Sequence, residues 1–238
     1  MKPGDDLASM IVRAAEEAGV GIQDGDIIVV GQKIVSKAEG AIIELSEVEP
    51  SDFAVKLARL TRRDPRLVEV ILRESRTLVR MDRRHIISET RHGFVCANAG
   101  VDASNVDGGR SVTVLPRDPD ESARRIRERI REISGKEVAV IITDTHGRPL
   151  RRGSIDVAIG ISGMRPFRDY RGKKDIVSAP LGPKLIAVAD EVASAAELVM
   201  GQGPEGIPVA IVRGYEYEPS EESTARELVM PPEEDLFR

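Results

Sequence analysis

The run VAVIITDTHGR, residues 138–148, ends an apolar stretch abruptly in an acid, a hydroxyl, a glycine and a base. An ionised Asp144 is a hard oxygen ligand for Mg²⁺ or Mn²⁺, the Thr145 oxygen can complete its shell, and Gly147 lets the backbone turn tightly beside a ligand. Arg148, Arg151 and Arg152 add forked donors that match phosphate or carboxylate oxygens. The bland alternative is that Asp144 and Thr145 start a turn and the arginines form a solvated loop. His146 could be a ligand, a general base or a bystander.

Three further polar segments, 32–40, 102–105 and 201–206, supply groups of the same kind. Lys33 and Lys37 would be point charges for phosphate oxygens, and Asp102 a second hard anionic ligand. Asn105 could recognise a base or a sugar. The glycines flanking Gln202 would let backbone N–H groups approach an anion, while Gln202 and Thr145 could add neutral oxygens to a second cation. Neither a Walker A lysine motif nor a Rossmann glycine fingerprint is present, so a nucleotide site must be of another kind.

Composition removes several function classes. The 238 residues are 41% hydrophobic and can bury a full core, as one unit or two subdomains. Aromatics make up only 3%, with no Trp, and the net charge is −5, which together argue against a nucleic-acid partner. No apolar run is long enough to span a bilayer and the start, MKPGDDLASM, lacks the regions of a signal peptide, so a cytoplasmic protein with no membrane partner is expected. The single Cys96 excludes an internal disulfide framework, and its apolar surroundings predict a buried core thiol.

These groups need elements to hold them, and the chain alternates strands and helices throughout. Leu7, Met10, Ile11, Ala14, Ala15 and Ala18 recur at helical spacing, with Gly19 as the stop. Residues 26–30, DIIVV, read as a buried strand that runs on into a polar, lysine-bearing segment. Two helices follow, one capped by Ser51 and one by Asp64 with Pro65 at its first position. Residues 77–97 read as several β segments around a turn at 82–84, residues 101–106 as a polar loop, and 111–115 as a strand. The next helix places Ala123, Ile126, Ile130 and Ile133 on one face, and its arginines alternate with glutamates as on a solvated face. The strand ending at Asp144 comes next, then a strand over 154–162, a basic loop over 164–174, a helix over 184–200 and a strand over 208–212. Asp190 or Glu191 in that helix is expected to point inward. The tail 218–238 is expected to be loosely held or a short terminal helix.

The segments QKIVSKAEG, NAGVDASNV, ITDTHGRPLRRG with the following AIGISG, and DEVASAAELVMGQGPEGIP resemble the coenzyme F420-0:γ-glutamyl ligases, in the same order. The resemblance runs from about Gly4 to about Arg213. It implies a mixed α/β (α+β) fold with mixed sheets and flanking helices, working as an intertwined homodimer. The implied activity is GTP-dependent γ-linked addition of L-glutamate to coenzyme F420-0 and F420-1 through an acyl phosphate. GTP is the implied co-substrate, with two divalent cations, Mn²⁺ or Mg²⁺, and K⁺ as a further candidate.

Carried over by position, the implied metal ligands are Asp102 and Asp144 for one ion and Thr145 and Gln202 for the other. The implied guanine-nucleotide contacts are Gln32, Lys33, Lys37, Asn105 and the backbone of 200–207, including Gly201, Gln202, Gly203 and Gly206. Asp144, Lys37 and Arg148 are expected to do the catalytic work, with Arg148, Arg151 and Arg152 turned toward the acceptor's phosphate or the glutamate carboxylates. Family members carry an extra N-terminal strand and a proline-containing apolar segment ahead of the position of Gly4. Either the true start lies upstream of Met1, or the nucleotide site closes differently here. A non-catalytic guanine-nucleotide-binding module and a metal-dependent phosphotransferase on another small molecule are the competing functions.

Overall fold

Residues 27–30 and 139–142 carry no polar side chain, and a strand of that kind is stable only where both faces are covered. In the computed structural model, which describes residues 1–103, 107–174, 176–177, 182 and 184–236, both runs are fully or almost fully buried. They form β1 (Ile27–Gly31) and most of β7 (Ala139–Gly147), the two inner strands of a four-stranded sheet. The chain divides into two units. One comprises Met1–Leu7, Gly31–Pro119 and Asp144–Ile155; the other comprises Ala8–Val30, Asp120–Thr143 and Asp156–Arg238.

The second unit contains that sheet, in the order β11-β1-β7-β8, with β8 at Ser154–Ser162 and β11 at Val209–Val212. β1 and β11 are antiparallel, Ile27 facing Val212 and Val30 facing Val209. Three helices each contribute an apolar stripe at helical spacing: α1 (Leu7–Glu17) through Ala8, Ile11, Val12 and Ala15, α5 (Pro119–Ser134) through Ala123, Ile126 and Ile130, and α6 (Val188–Met200) through Ala189, Val192, Ala193, Ala196 and Met200. Ile133 leaves the expected stripe; it is 41% exposed, so the buried face ends one turn before α5 does. α6 starts four residues later than the sequence suggests, because Leu185–Ile186 form β10 and pair antiparallel with β9 (Arg168–Asp169). Asp190 points inward as expected, accepting the Ala158 N–H at 2.9 Å.

Within the tail, residues 221–228 are bonded to α5. Arg127 donates through two nitrogens to Glu221, at 2.6 and 2.7 Å, and Asp120 accepts the N–H of the fully buried Ala225 at 2.9 Å. A capping box between Thr224 and Glu227 starts a 3₁₀ turn over Ala225–Leu228, the short terminal helix in its tightest form.

In the first unit the polar, lysine-bearing segment after β1 is a helix, α2 (Gln32–Ala38). Gln32, Val35 and Ser36 are its buried residues, an i, i+3, i+4 set in an element too short for periodicity to reveal. β2 (Ile42–Glu44) pairs antiparallel with β6 (Ser111–Thr113). α3 (Asp52–Thr61) and α4 (Pro65–Glu74) begin where the caps predict: Ser51 Oγ accepts from the Ala54 N–H and the Asp64 carboxylate from the Arg66 N–H, with Pro65 at the first position. β3 (Ser75–Met81), β4 (Ile86–Thr90) and β5 (Val95–Ala97) make a meander. Asp82 closes its first turn by accepting the N–H groups of Arg84 and His85, each at 2.7 Å. Leu57, Val68, Val70, Ile71, Ile86 and Val112 are central to this unit's core.

Candidate active site

β7 leaves the core at a defined residue. Residues 139–143 are buried; from Asp144 to Gly147 half-buried and exposed positions alternate. Asp144 and Thr145 therefore lie in an extended strand running three residues past the expected end, not in a turn. Asp144 and His146 share the half-buried face, whereas Thr145 is exposed.

His146 Nε2 lies 3.4 Å from Asp144 Oδ2, a charge contact not aligned as a hydrogen bond. Burial alone would pull its pKa down, but the Asp144 carboxylate and the Cys96 sulfur outweigh it and push the imidazole up to about 10. With no cation on Asp144, the imidazole is thus held in its protonated form beside that carboxylate at neutral pH. Cys96 is the buried thiol expected.

α2 delivers three of the expected nucleotide residues. Lys33 Nζ lies 2.7 Å from Asp102 Oδ2, each side chain 29% exposed, so a predicted phosphate contact and a predicted metal ligand meet. The backbone of Asp102 is pinned by reciprocal N–H to carbonyl bonds with Thr113, both 2.9 Å. Gln32, 6% exposed, accepts the Ser36 hydroxyl on its Oε1 at 3.0 Å. Lys37 sits in the last turn of α2, whose end receives the N-terminal segment through Gly4 N–H to the Ala38 carbonyl at 2.8 Å. Asn105 lies outside the described residues.

Arg148 Nη2 donates to the Arg152 carbonyl at 2.8 Å, while its Nε is buried with no hydrogen-bond partner. A planar guanidinium with one edge tied to the backbone and another unmatched suits an incoming anionic group. Arg151 and Arg152 are exposed.

The segment 201–206 belongs to the second unit, at the end of α6. Gly201 has φ +70°, and a Cβ there would approach Glu205 Cδ to 2.5 Å, so the position needs glycine. The Gly203 N–H donates to Glu205 Oε2 at 2.7 Å: the loop already binds an oxyanion, supplied by its own chain. Gly206 also has positive φ, 68°. Gln202 Nε2 donates to Asp156 Oδ1 at 2.9 Å. Asp156 is 4% exposed and was missed by sequence reasoning; the available signal was a carboxylate between the terminal serines of a strand otherwise without polar side chains, SIDVAIGIS.

The donors assigned to cations, Asp102, Asp144, Thr145 and Gln202, are all hard oxygens. Among the described residues no group of three or more His, Cys, Asp or Glu side chains stands together. Two carboxylates with neutral oxygens suit Mg²⁺ or Mn²⁺, which keep places for water and phosphate. The Lys33 ammonium against Asp102 shows that this carboxylate accepts a cation. The residues present therefore fit the divalent ions that the resemblance implies.

Comparison with known proteins gives the same direction. The sequence profile of a family described as F420-0:Gamma-glutamyl ligase matches residues 1–214. The coenzyme F420:L-glutamate ligase of Methanothermobacter thermautotrophicus is 50% identical over 236 residues, covering 99% of this chain and 93% of that protein. The protein of the same name from Methanopyrus kandleri is 50% identical over 241 residues, 100% of this chain and 93% of the relative. That from Archaeoglobus fulgidus is 42% identical over 238 residues, 100% and 92%. No helix among the described residues is long and apolar enough to cross a membrane.

Proposed function

The chain belongs to the F420-0:gamma-glutamyl ligase family, and from that premise we propose that it joins L-glutamate to coenzyme F420-0 by a γ-linkage, and again to F420-1, with hydrolysis of GTP. The near-full-length identity to relatives named coenzyme F420:L-glutamate ligase carries this reading. The contact of Lys33 with Asp102 supports it at the level of the site.

In the first step a carboxylate oxygen of the acceptor attacks the γ-phosphorus of GTP, GDP leaves, and an acyl phosphate forms. In the second the glutamate amine attacks the acyl carbon, phosphate leaves with the C–O electron pair, and the nitrogen gives up a proton. No protein nucleophile is needed, so the residues work by position and charge. Lys33 and Lys37 hold phosphate oxygens. Gln32, whose oxygen is taken by Ser36, turns its amide nitrogen to the nucleotide, and Asn105 contacts base or sugar. The backbone of Gly201, Gln202, Gly203 and Gly206 accepts phosphate where Gly203 now holds Glu205. Asp102 and Asp144 would hold one divalent cation and Thr145 and Gln202 a second, and these ions supply charge neutralisation at the transferring phosphoryl group. Arg148, with its unmatched Nε, binds the acceptor's phosphate or a glutamate carboxylate, helped by Arg151 and Arg152. The working form is a homodimer in the cytoplasm, with K⁺ as an accessory ion.

The test incubates the protein with GTP, Mn²⁺ or Mg²⁺, L-glutamate and F420-0 and looks for added glutamyl units by mass spectrometry. Glutamyl products with GDP formed in step are expected. GTP turnover that does not depend on glutamate would overturn the ligase reading in favour of a phosphotransferase, and binding without turnover would favour a nucleotide-binding module.

A further inference from the structure

We propose that Asp156 is a positioning residue that decides which end of the Gln202 amide is offered to a cation. The inference rests on the reading of Gln202 as a metal ligand and goes beyond it.

An ionised carboxylate only accepts hydrogen bonds, so the group that meets Asp156 Oδ1 at 2.9 Å must be the Gln202 amide nitrogen. The amide plane then turns Oε1 away from Asp156, and oxygen is the end a hard cation takes. An amide on an exposed loop without such a partner would flip freely and present nitrogen as often as oxygen. Asp156 can set the choice because its own place is held by further hydrogen bonds. Its Oδ2 accepts from Thr143 Oγ1 at 3.2 Å, and that hydroxyl also lies 3.1 Å from the Val157 carbonyl. Its own carbonyl accepts the Ser194 hydroxyl at 2.7 Å, and Asp190 takes the N–H of Ala158 two residues on, at 2.9 Å. β8 is thus fastened to α6 at residues 156 and 158, and a charge-assisted bond connects this point to the loop after α6.

The test is equilibrium Mn²⁺ binding in the presence of GDP, followed by the EPR signal of the free ion, on the full chain and four variants. Removing a support of a metal ligand costs about 10- to 100-fold in metal affinity. Asp156→Leu, which removes both acceptors while Thr143 keeps the Val157 carbonyl, is expected to weaken one ion by that factor and leave the other within about threefold. Asp156→Asn keeps an oxygen for Gln202 and an N–H₂ for Thr143 Oγ1, and is expected to stay within about threefold of the parent protein. Gln202→Ala should reproduce the Asp156→Leu loss, and the double variant should lose no more than either single one. If Gln202→Ala weakens one ion and Asp156→Leu weakens none, or the two losses multiply, the positioning role is overturned while the two-cation site stands. If Gln202→Ala weakens neither ion, the ligand assignment fails and the proposal with it.

Should Asp156→Leu fail to fold, ¹⁵N NMR of the Gln202 side-chain amide in the parent protein decides. One shifted, exchange-protected proton is expected; an amide like that of a free glutamine would overturn the proposal.

Discussion

Replacing Arg213 by alanine would leave a carboxylate stranded in the interior. Asp26 is 1% exposed and accepts Arg213 Nε on Oδ1 and Nη2 on Oδ2, both at 2.8 Å, as well as the Gln23 N–H at 2.8 Å. The same guanidinium donates to the carbonyls of Val20 and Gly21, at 3.3 and 2.8 Å, and so closes the loop between α1 and β1 onto the end of β11. The Asp26 carboxylate holds the Arg213 pKa above its ordinary value, so the cation is present throughout the working pH range. Breaking a buried pair by removing one partner costs about 3–5 kcal/mol, because the other charge is left desolvated. The Arg213 side chain is 37% exposed, and water entering its place recovers part of that, so the expected loss is at the low end, about 3 kcal/mol. For a chain of this size such a loss lowers Tm by about 6–12 °C. Differential scanning calorimetry at pH 7 reads this directly. Asp26→Asn/Arg213→Ala should recover about 2 kcal/mol relative to the sum of the single variants, since the stranded charge is gone. A Tm within 2 °C of the parent for Arg213→Ala, or strict additivity in the cycle, would refute the account.

Asp144→Asn and Asp102→Asn, each removing one anionic ligand, should lower ligation about 100-fold or more with little change in Tm, and chelation of divalent ions should do the same to the parent, checked by the mass-spectrometric assay. Gly201→Ala forces an alanine to φ +70°, ψ 170°, a region essentially reserved for glycine, and an expected cost of about 1–3 kcal/mol should raise the GTP KM about tenfold with kcat little changed, as steady-state kinetics would reveal. Asp120→Ala leaves the N–H groups of Ile161 and Ala225 without an acceptor, now 2.8 and 2.9 Å from its Oδ1; about 2–3 kcal/mol should be lost, and hydrogen exchange should show residues 221–228 released first. Part of the acid limb of stability follows from Asp82, held near 2 by the N–H groups of Arg84 and His85 and by the His85 ring, and from Asp169, held near 2 by Arg171; both are exposed, so water screens their share. Their folded values are depressed, so their stabilisation is complete above the ordinary value of 3.8 and disappears as pH falls through about 2. Asp82→Asn should therefore flatten the fall of Tm across that window, and an unchanged slope would count against the turn as its source.

Much of this fold was legible in the residues because local physics decides it. The Ser51 and Asp64 caps, Pro65 at the first position of α4, and the unbroken apolar runs of β1 and β7 each state a conformation within a few residues. The same holds for the identity of the hard-oxygen and cationic groups, and the linear order of motifs was enough to name the family. Failures of the reading came where a distant partner outweighed local signal. Seven residues, Gln32–Ala38, carry too little periodicity to declare α2. Residues 184–187 look helical until β9 claims Leu185 and Ile186 for a ladder. Nothing local in residues 221–225 announces their bonds to Arg127 and Asp120, about a hundred positions away.

For the candidate site the division is similar. Residue type and spacing picked out Asp102, Asp144, Lys33 and Gln202, since the chemistry of a side chain is written in its identity. Which groups meet is not. That Lys33 neutralises Asp102, that Cys96 and Asp144 together keep His146 charged, and that Asp156 turns the Gln202 amide are consequences of the chain folding back on itself. Hydrogen bonds and ion pairs act over about three ångströms, and only tertiary structure brings Asp156 and Gln202, 46 positions apart, within that range.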